Sequence, residues 1–143
     1  MKPFSRAAAV IGGILVIHVV AVLRDLYGTV QWFDIPMHWF GGFSMAFLGL
    51  AVWMSFVRTF HVEGKGPFGK RADMLVRLGW VMGFVAVVGI GWEWFEFLCD
   101  QIFPTLVPAY RSAQPNLGDT MADLFFDLFG GVVGYVFARH YDR

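Results

Sequence analysis

The chain has 143 residues, 57% hydrophobic and only 15% charged, and its formal net charge is zero. A soluble domain of this size carries about 25% charged residues, so the composition points to a membrane protein, and the neutral balance implies no nucleic-acid partner. The single cysteine, Cys99, excludes an intramolecular disulfide and a thiolate metal cage.

One domain, residues 1–143, is expected. Met1 to Arg6 is short and basic, and Ala7 to Leu23 is an uncharged run interrupted only by His18. No Ala-x-Ala cleavage site follows it, so it reads as a first transmembrane helix over 7–23 rather than a signal peptide. Arg24 to Pro36 is a polar connector, and Asp34-Ile35-Pro36 has the form of a helix start. The second span, 37–57, contains His38. Arg58 to Arg77 is the most basic part, with a turn-rich Gly64-Lys65-Gly66-Pro67 piece. The third span, 78–98, carries Glu93 and Glu96 at its far end. Asp100 to Gly118 holds Pro104, Pro108 and Pro115, cannot be one helix, and is long enough to suggest a lid or re-entrant element. The fourth span, 120–138, opens on Asp119, Asp123 and Asp127, one carboxylate per turn on one stripe. The fold class is therefore all-α, a polytopic bundle of four transmembrane helices. Gly79/Gly83 and Gly130/Gly134, small residues four apart, are candidate points of close helix approach. Sixteen Phe and six Trp suit lipid-facing and interfacial positions.

The basic residues set the expected orientation. Nine of the eleven Lys and Arg lie in the N-terminus, the second loop and the C-terminus, leaving only Arg24 and Arg111 elsewhere. Both termini are therefore expected in the cytoplasm of a bacterial inner (plasma) membrane. His18 then lies roughly 8 Å below the outer surface, Glu93 about 10 Å and Asp127 about 12 Å, at 1.5 Å per residue. All four helices carry an ionisable group to the outer leaflet, and the inner half has nothing comparable.

Such groups are costly in lipid unless they face protein, water or a metal. Asp34 and His38 share a helix face, as do Glu93 and Glu96. Converging stripes would gather as many as six carboxylates, which cannot all be ionised in a low-dielectric pocket: either several are protonated or cations neutralise them, and with no basic side chain in the spans a metal is the economical answer. The expected ligands of a divalent metal are His38, Glu93, Asp123, Asp127, Asp119 and Asp34. An oxygen-rich set with one or two His suits Mg²⁺, Mn²⁺, Fe²⁺ or Ca²⁺ better than Zn²⁺. The inventory is close to that of a di-iron bundle, although the pair here is Glu-x-x-Glu rather than Glu-x-x-His. Asp34 and Asp119 also stand where helix caps stand. Asp25 and Asp100 read as solvated, and His18 as a packed helix residue more readily than a ligand. Ser44 and Ser55 have no base at a useful spacing, so no nucleophilic triad is supported.

Asp-x-x-x-His at one helix start (Asp34, His38), Glu-x-x-Glu at the next helix end (Glu93, Glu96), then Gly118-Asp119-Thr120 through Asp123, Asp127 and Gly130 resemble the small bacterial inner-membrane proteins of the YjdF type. The pattern is more distantly similar to VanZ-like proteins. It covers about residues 30 to 135 and departs at Asp127, where many relatives carry Asn. The resemblance implies the fold and a site, not a reaction. The expected function is a metal-dependent hydrolase or transferase acting at the outer leaflet on a lipid-linked substrate, with Glu96 as general base and Arg111 meeting an anionic headgroup. The alternatives are an accessory subunit of a larger membrane complex and a cation or proton transporter. Membrane lipid is the expected partner, with a homo-oligomer or larger complex allowed.

Overall fold

Without water, long runs of Leu, Val, Ile, Phe and Ala satisfy their backbone groups only as helices. The computed structural model describes residues 3–30, 32–59, 69–107 and 110–142. In chain order the helices are α1 (Pro3–Leu23), a single turn α2 (Leu26–Thr29), α3 (Asp34–Thr59), α4 (Gly69–Ile102) and α5 (Leu117–Ala138). Short 3₁₀ turns follow α4 at Phe103–Thr105 and α5 at Arg139–Asp142. The described residues include no strand. Four helices, α1, α3, α4 and α5, are long and apolar enough to cross a membrane, as the hydropathy of the sequence led us to expect.

Each helix runs past its expected limits, α4 by most. Helix formers such as Lys70, Arg71, Ala72, Met74 and Leu75 extend α4 backwards. At the other end α4 continues until Pro104, which disfavours helical geometry at Phe103. Its 34 residues span roughly 50 Å, more than the ~30 Å hydrocarbon core. Residues from Gly69 to Arg77, expected in a loop, are thus helical. The Gly64-Lys65-Gly66-Pro67 turn lies outside the described residues.

Helix α3 is central, packing against α1 on one side and most extensively against α5, while α4 closes on both α3 and α5. One half of this three-helix core is apolar and built from Ala46, Leu50, Val81, Val85, Tyr135 and Ala138. Two polar tips tie that half together: Trp80 Nε1 donates to the Gly49 carbonyl at 3.1 Å, and the Tyr135 hydroxyl donates to the Met74 carbonyl at 3.2 Å. Helix α1 is peripheral, with Val16, Val19, Val22 and Leu23 exposed along it.

Helices α3 and α5 approach closely because glycine stands at their crossing. A Cβ at Gly42 would collide with the Asp127 carbonyl, and one at Gly130 with the Trp39 carbonyl. Lipid offers no hydrophobic drive for helices to associate, so this backbone proximity supplies the van der Waals contact. The expectation for Gly130/Gly134 is met on this face. Gly79 and Gly83 differ from expectation: each has open space where a Cβ would lie, because that face of α4 has no helix against it.

Gly130→Ala should therefore lower stability by about 1–3 kcal/mol through overpacking. Gly79→Ala should be neutral or stabilising by up to about 1 kcal/mol. Thermal unfolding in detergent followed by circular dichroism distinguishes the two; equal losses would contradict the packing described.

Candidate functional site

The glycine-lined crossing sets the other half of the bundle apart. Above it, Asp34 and His38 come from the first two turns of α3, Glu93 and Glu96 from α4, and Asp123 and Asp127 from α5. Exposure is 5% for His38, 5% for Glu93, 9% for Glu96, 2% for Asp123 and 6% for Asp127, so all five are more than nine-tenths buried. Asp34 is half-buried, its side chain 26% exposed. Gly89 makes the convergence possible, since a Cβ there would lie 2.6 Å from Asp127 Oδ2.

His38 is the hub. Its Nε2 lies 3.6 Å from Asp34 Oδ1 and 3.9 Å from Asp123 Oδ1, and its Nδ1 lies 3.5 Å from Asp127 Oδ1. Two groups of three each bring one donor atom per residue within 4.8 Å of one another: Asp34, His38 and Asp123, and His38, Glu93 and Glu96. Among the described residues these five side chains are the ones grouped so that they could hold a metal ion. Asp127 and Asp119 belong to neither group. Asp119 lies in the first turn of α5, whose cap is Asn116 rather than Asp119; the Asn116 side chain accepts from the Asp119 amide at 3.2 Å.

The carboxylates share one pattern. Glu93 Oε2 accepts from Gln114 Nε2 at 2.6 Å, and Glu96 Oε1 accepts from Trp92 Nε1 at 2.8 Å. The opposite oxygens, Glu93 Oε1 and Glu96 Oε2, are buried with no protein hydrogen-bond partner, and so is Asp123 Oδ2. A buried acceptor left unmade costs about 1–3 kcal/mol, and more when charged. All three atoms belong to side chains that share a group of converging donors with His38.

The residues following α4 fold over the site. Asp100, expected to be solvated, organises them instead. Its carboxylate accepts from the Tyr110 hydroxyl (2.7 Å), the Ser112 hydroxyl (2.6 Å) and the amides of Ala113 (2.8 Å) and Gln114 (2.9 Å). Burial and the Asp100 charge push the Tyr110 phenol above its ordinary pKa, so it remains a donor. Gln114 then reaches both the side chain and the carbonyl of Glu93, the carbonyl at 2.9 Å. Arg111, expected to meet a headgroup, is drawn to the α1–α3 connection: it lies 3.6 Å from Asp25 and donates to the Gly28 carbonyl.

His18 is not among the grouped donors. Its Nδ1 is hydrogen-bonded to the Tyr27 hydroxyl at 2.8 Å, and its ring meets Trp92 edge-on. Burial, then the charges of Asp34 and Glu96, raise the Tyr27 pKa and keep its phenol protonated. The sequence reading missed Gln114, Trp92 and Tyr27. Trp92 was discoverable, since it stands four residues before Glu96 on one helix face. Gln114 had no signal, because only the fold of a proline-rich loop brings it to Glu93.

A family described as "Predicted membrane protein (DUF2238)" matches residues 4–143, and the chain belongs to it. An uncharacterized protein of Thermotoga maritima is 26% identical over 106 residues, covering 74% of this chain and 47% of that protein. The chain thus spans about half the length of this curated relative. No solved structure matches the chain.

Asp100→Ala should release the segment over the site. Losing two charge-assisted bonds, each about 1.5–3 kcal/mol, should speed amide exchange at Ala113 and Gln114 at least about tenfold. Asp25→Asn keeps a side chain suited to the left-handed backbone there, removes the exposed ion pair with Arg111 and should leave those amides within about twofold. Hydrogen-exchange mass spectrometry reads both, and unchanged exchange in Asp100→Ala would contradict this role.

Proposed function

We propose that this member of the family is a metal-dependent membrane protein. A carboxylate-rich divalent-cation site opens to the extracytoplasmic side of a bacterial inner membrane and serves hydrolysis or group transfer on a lipid-linked substrate. The observation that carries the reading is the set of three orphaned oxygens, Glu93 Oε1, Glu96 Oε2 and Asp123 Oδ2, on buried side chains that each share a donor group with His38. A neutral bundle core cannot leave several carboxylates ionised and unpaired, and among the described residues no Lys or Arg is classed with the buried side chains. A divalent cation of the Mg²⁺, Mn²⁺, Fe²⁺ or Ca²⁺ kind answers that charge with the ligands it prefers.

In this reading Asp34, His38 and Asp123, which converge as one group, hold the ion, Glu93 completes its shell from the adjoining group, and Asp119 stands at the mouth. When bound, the ion polarises a phosphoryl or carbonyl oxygen and lowers the pKa of a bound water. Glu96 is the general base: Trp92 fixes one of its oxygens and leaves the other free to take a proton. A lipid-linked substrate suits an apolar groove of about 330 Å³ beside the first turns of α3, lined by Trp32, Ile35, Pro36, Trp39 and Phe126. A transmembrane relay is the poorer reading, because the half beneath the cluster is the apolar core around Ala46, Leu50, Val81 and Val85.

Two measurements test this. Purified protein stripped with chelator should bind Mn²⁺ in fixed stoichiometry. Glu93→Gln and Asp123→Asn should stay folded and inserted while binding falls by about a hundredfold or more, with Asp25→Asn unchanged. Wild-type protein that takes up no Mn²⁺, Mg²⁺, Fe²⁺ or Ca²⁺ ends the proposal. In a Cys99→Ser background, Ser112→Cys should react with an impermeant maleimide added to intact cells, and Thr59→Cys should not. The reverse pattern would place the site on the cytoplasmic side.

A further inference from the structure

We propose that Asp127 is a positioning residue and not a ligand: it accepts the Nδ1–H of His38, so that Nε2 is the nitrogen offered to the cation between Asp34 and Asp123. The inference rests on the cation reading above and assigns one of its first expected ligands a different part.

Three observations lead to it. First, the two faces of the imidazole meet different surroundings. Nδ1 faces Asp127 Oδ1 at 3.5 Å, whereas Nε2 faces Asp34 and Asp123 at 3.6 and 3.9 Å. Two ligand atoms on one ion stand about 3 Å apart or slightly more, so the Nε2 side needs to contract by less than an ångström around a cation.

Second, Asp127 joins neither group of converging donors, while Asp34 and Asp123 share one with His38. Third, the Asp127 carboxylate is seated between two glycines. A Cβ at Gly89 would lie 2.6 Å from Oδ2, and one at Gly41 would lie 3.6 Å from Oδ1. Asp123 instead keeps a buried oxygen with no partner. A metal-bound histidine that donates its other N–H to a carboxylate has its tautomer and ring plane fixed by that second bond. Asp127, on α5, does this for His38, on α3, across the Gly42/Gly130 crossing. The closeness of the two backbones there sets the tautomer of the hub.

The test compares Asp127→Asn with Asp127→Ala. Asn retains an oxygen that can accept from Nδ1–H, and Ala does not. A first arm needs no metal. Chelator-treated protein with ¹⁵N-labelled histidine is recorded at alkaline pH, where imidazole is neutral, and His38 is assigned with His38→Gln. The His38 proton should sit on Nδ1 in wild type and Asp127→Asn and shift towards Nε2 in Asp127→Ala. A wild-type His38 protonated on Nε2 overturns the proposal.

The second arm is Mn²⁺ titration. Asp127→Asn should bind within about fivefold of wild type and Asp127→Ala about 10–100-fold more weakly. If Asp127→Asn falls as far as Asp123→Asn, then Asp127 is a ligand and the assignment is wrong. Absence of Mn²⁺ binding in a wild type with the proton on Nδ1 defeats the cation reading and leaves the Asp127–His38 pairing standing.

Discussion

The structure depends on one constraint: carboxylates placed inside an apolar helical bundle must find partners there. Water is scarce at that depth, and an ionised carboxylate moved into a medium of low dielectric loses far more solvation than one hydrogen bond returns. The chain answers part of the demand itself. Gln114 and Trp92 each hold one oxygen of a glutamate, and His38 sits among Asp34, Asp123 and Asp127. The part it leaves unanswered is one oxygen without a hydrogen-bond partner on each of Glu93, Glu96 and Asp123, and the proposed cation is what would answer it.

The architecture around the cluster serves that arrangement. Glycine at the α3–α5 crossing brings the helices close enough for His38 to lie against the aspartate stripe, and Gly89 opens α4 for Asp127. Beneath the crossing the core is apolar and tied by Trp80 and Tyr135. Above it, Asp100 gathers the loop that carries Gln114 to Glu93. The loop after α4 is therefore a structural member of the site, and its fixed point is an aspartate that sequence reasoning left to solvent.

Much of this was legible beforehand, for physical reasons. Four apolar runs without water to satisfy a backbone leave few alternatives to four helices. Period-four spacing placed Asp123 with Asp127, and Asp34 with His38, on shared faces. What the sequence could not reveal depends on tertiary placement. The extra turns of α4 follow helix-forming residues hidden in a charged stretch, and Gly79/Gly83 looked like Gly130/Gly134 although only the latter meet another helix. Asn116 capping α5 displaced Asp119 from that role. Arg111 turned to Asp25 and to Gly28, the latter 83 residues away in the chain, a partnership that no spacing announces.

The central claim is that a cation lies among the free oxygens. Anomalous diffraction from crystals of the wild-type protein soaked in Mn²⁺, collected at the manganese edge, tests it most directly. The account predicts a peak about 2.2 Å from His38 Nε2 and from carboxylate oxygens of Asp123 and its neighbours. A cluster free of anomalous signal in crystals that carry manganese elsewhere would contradict it.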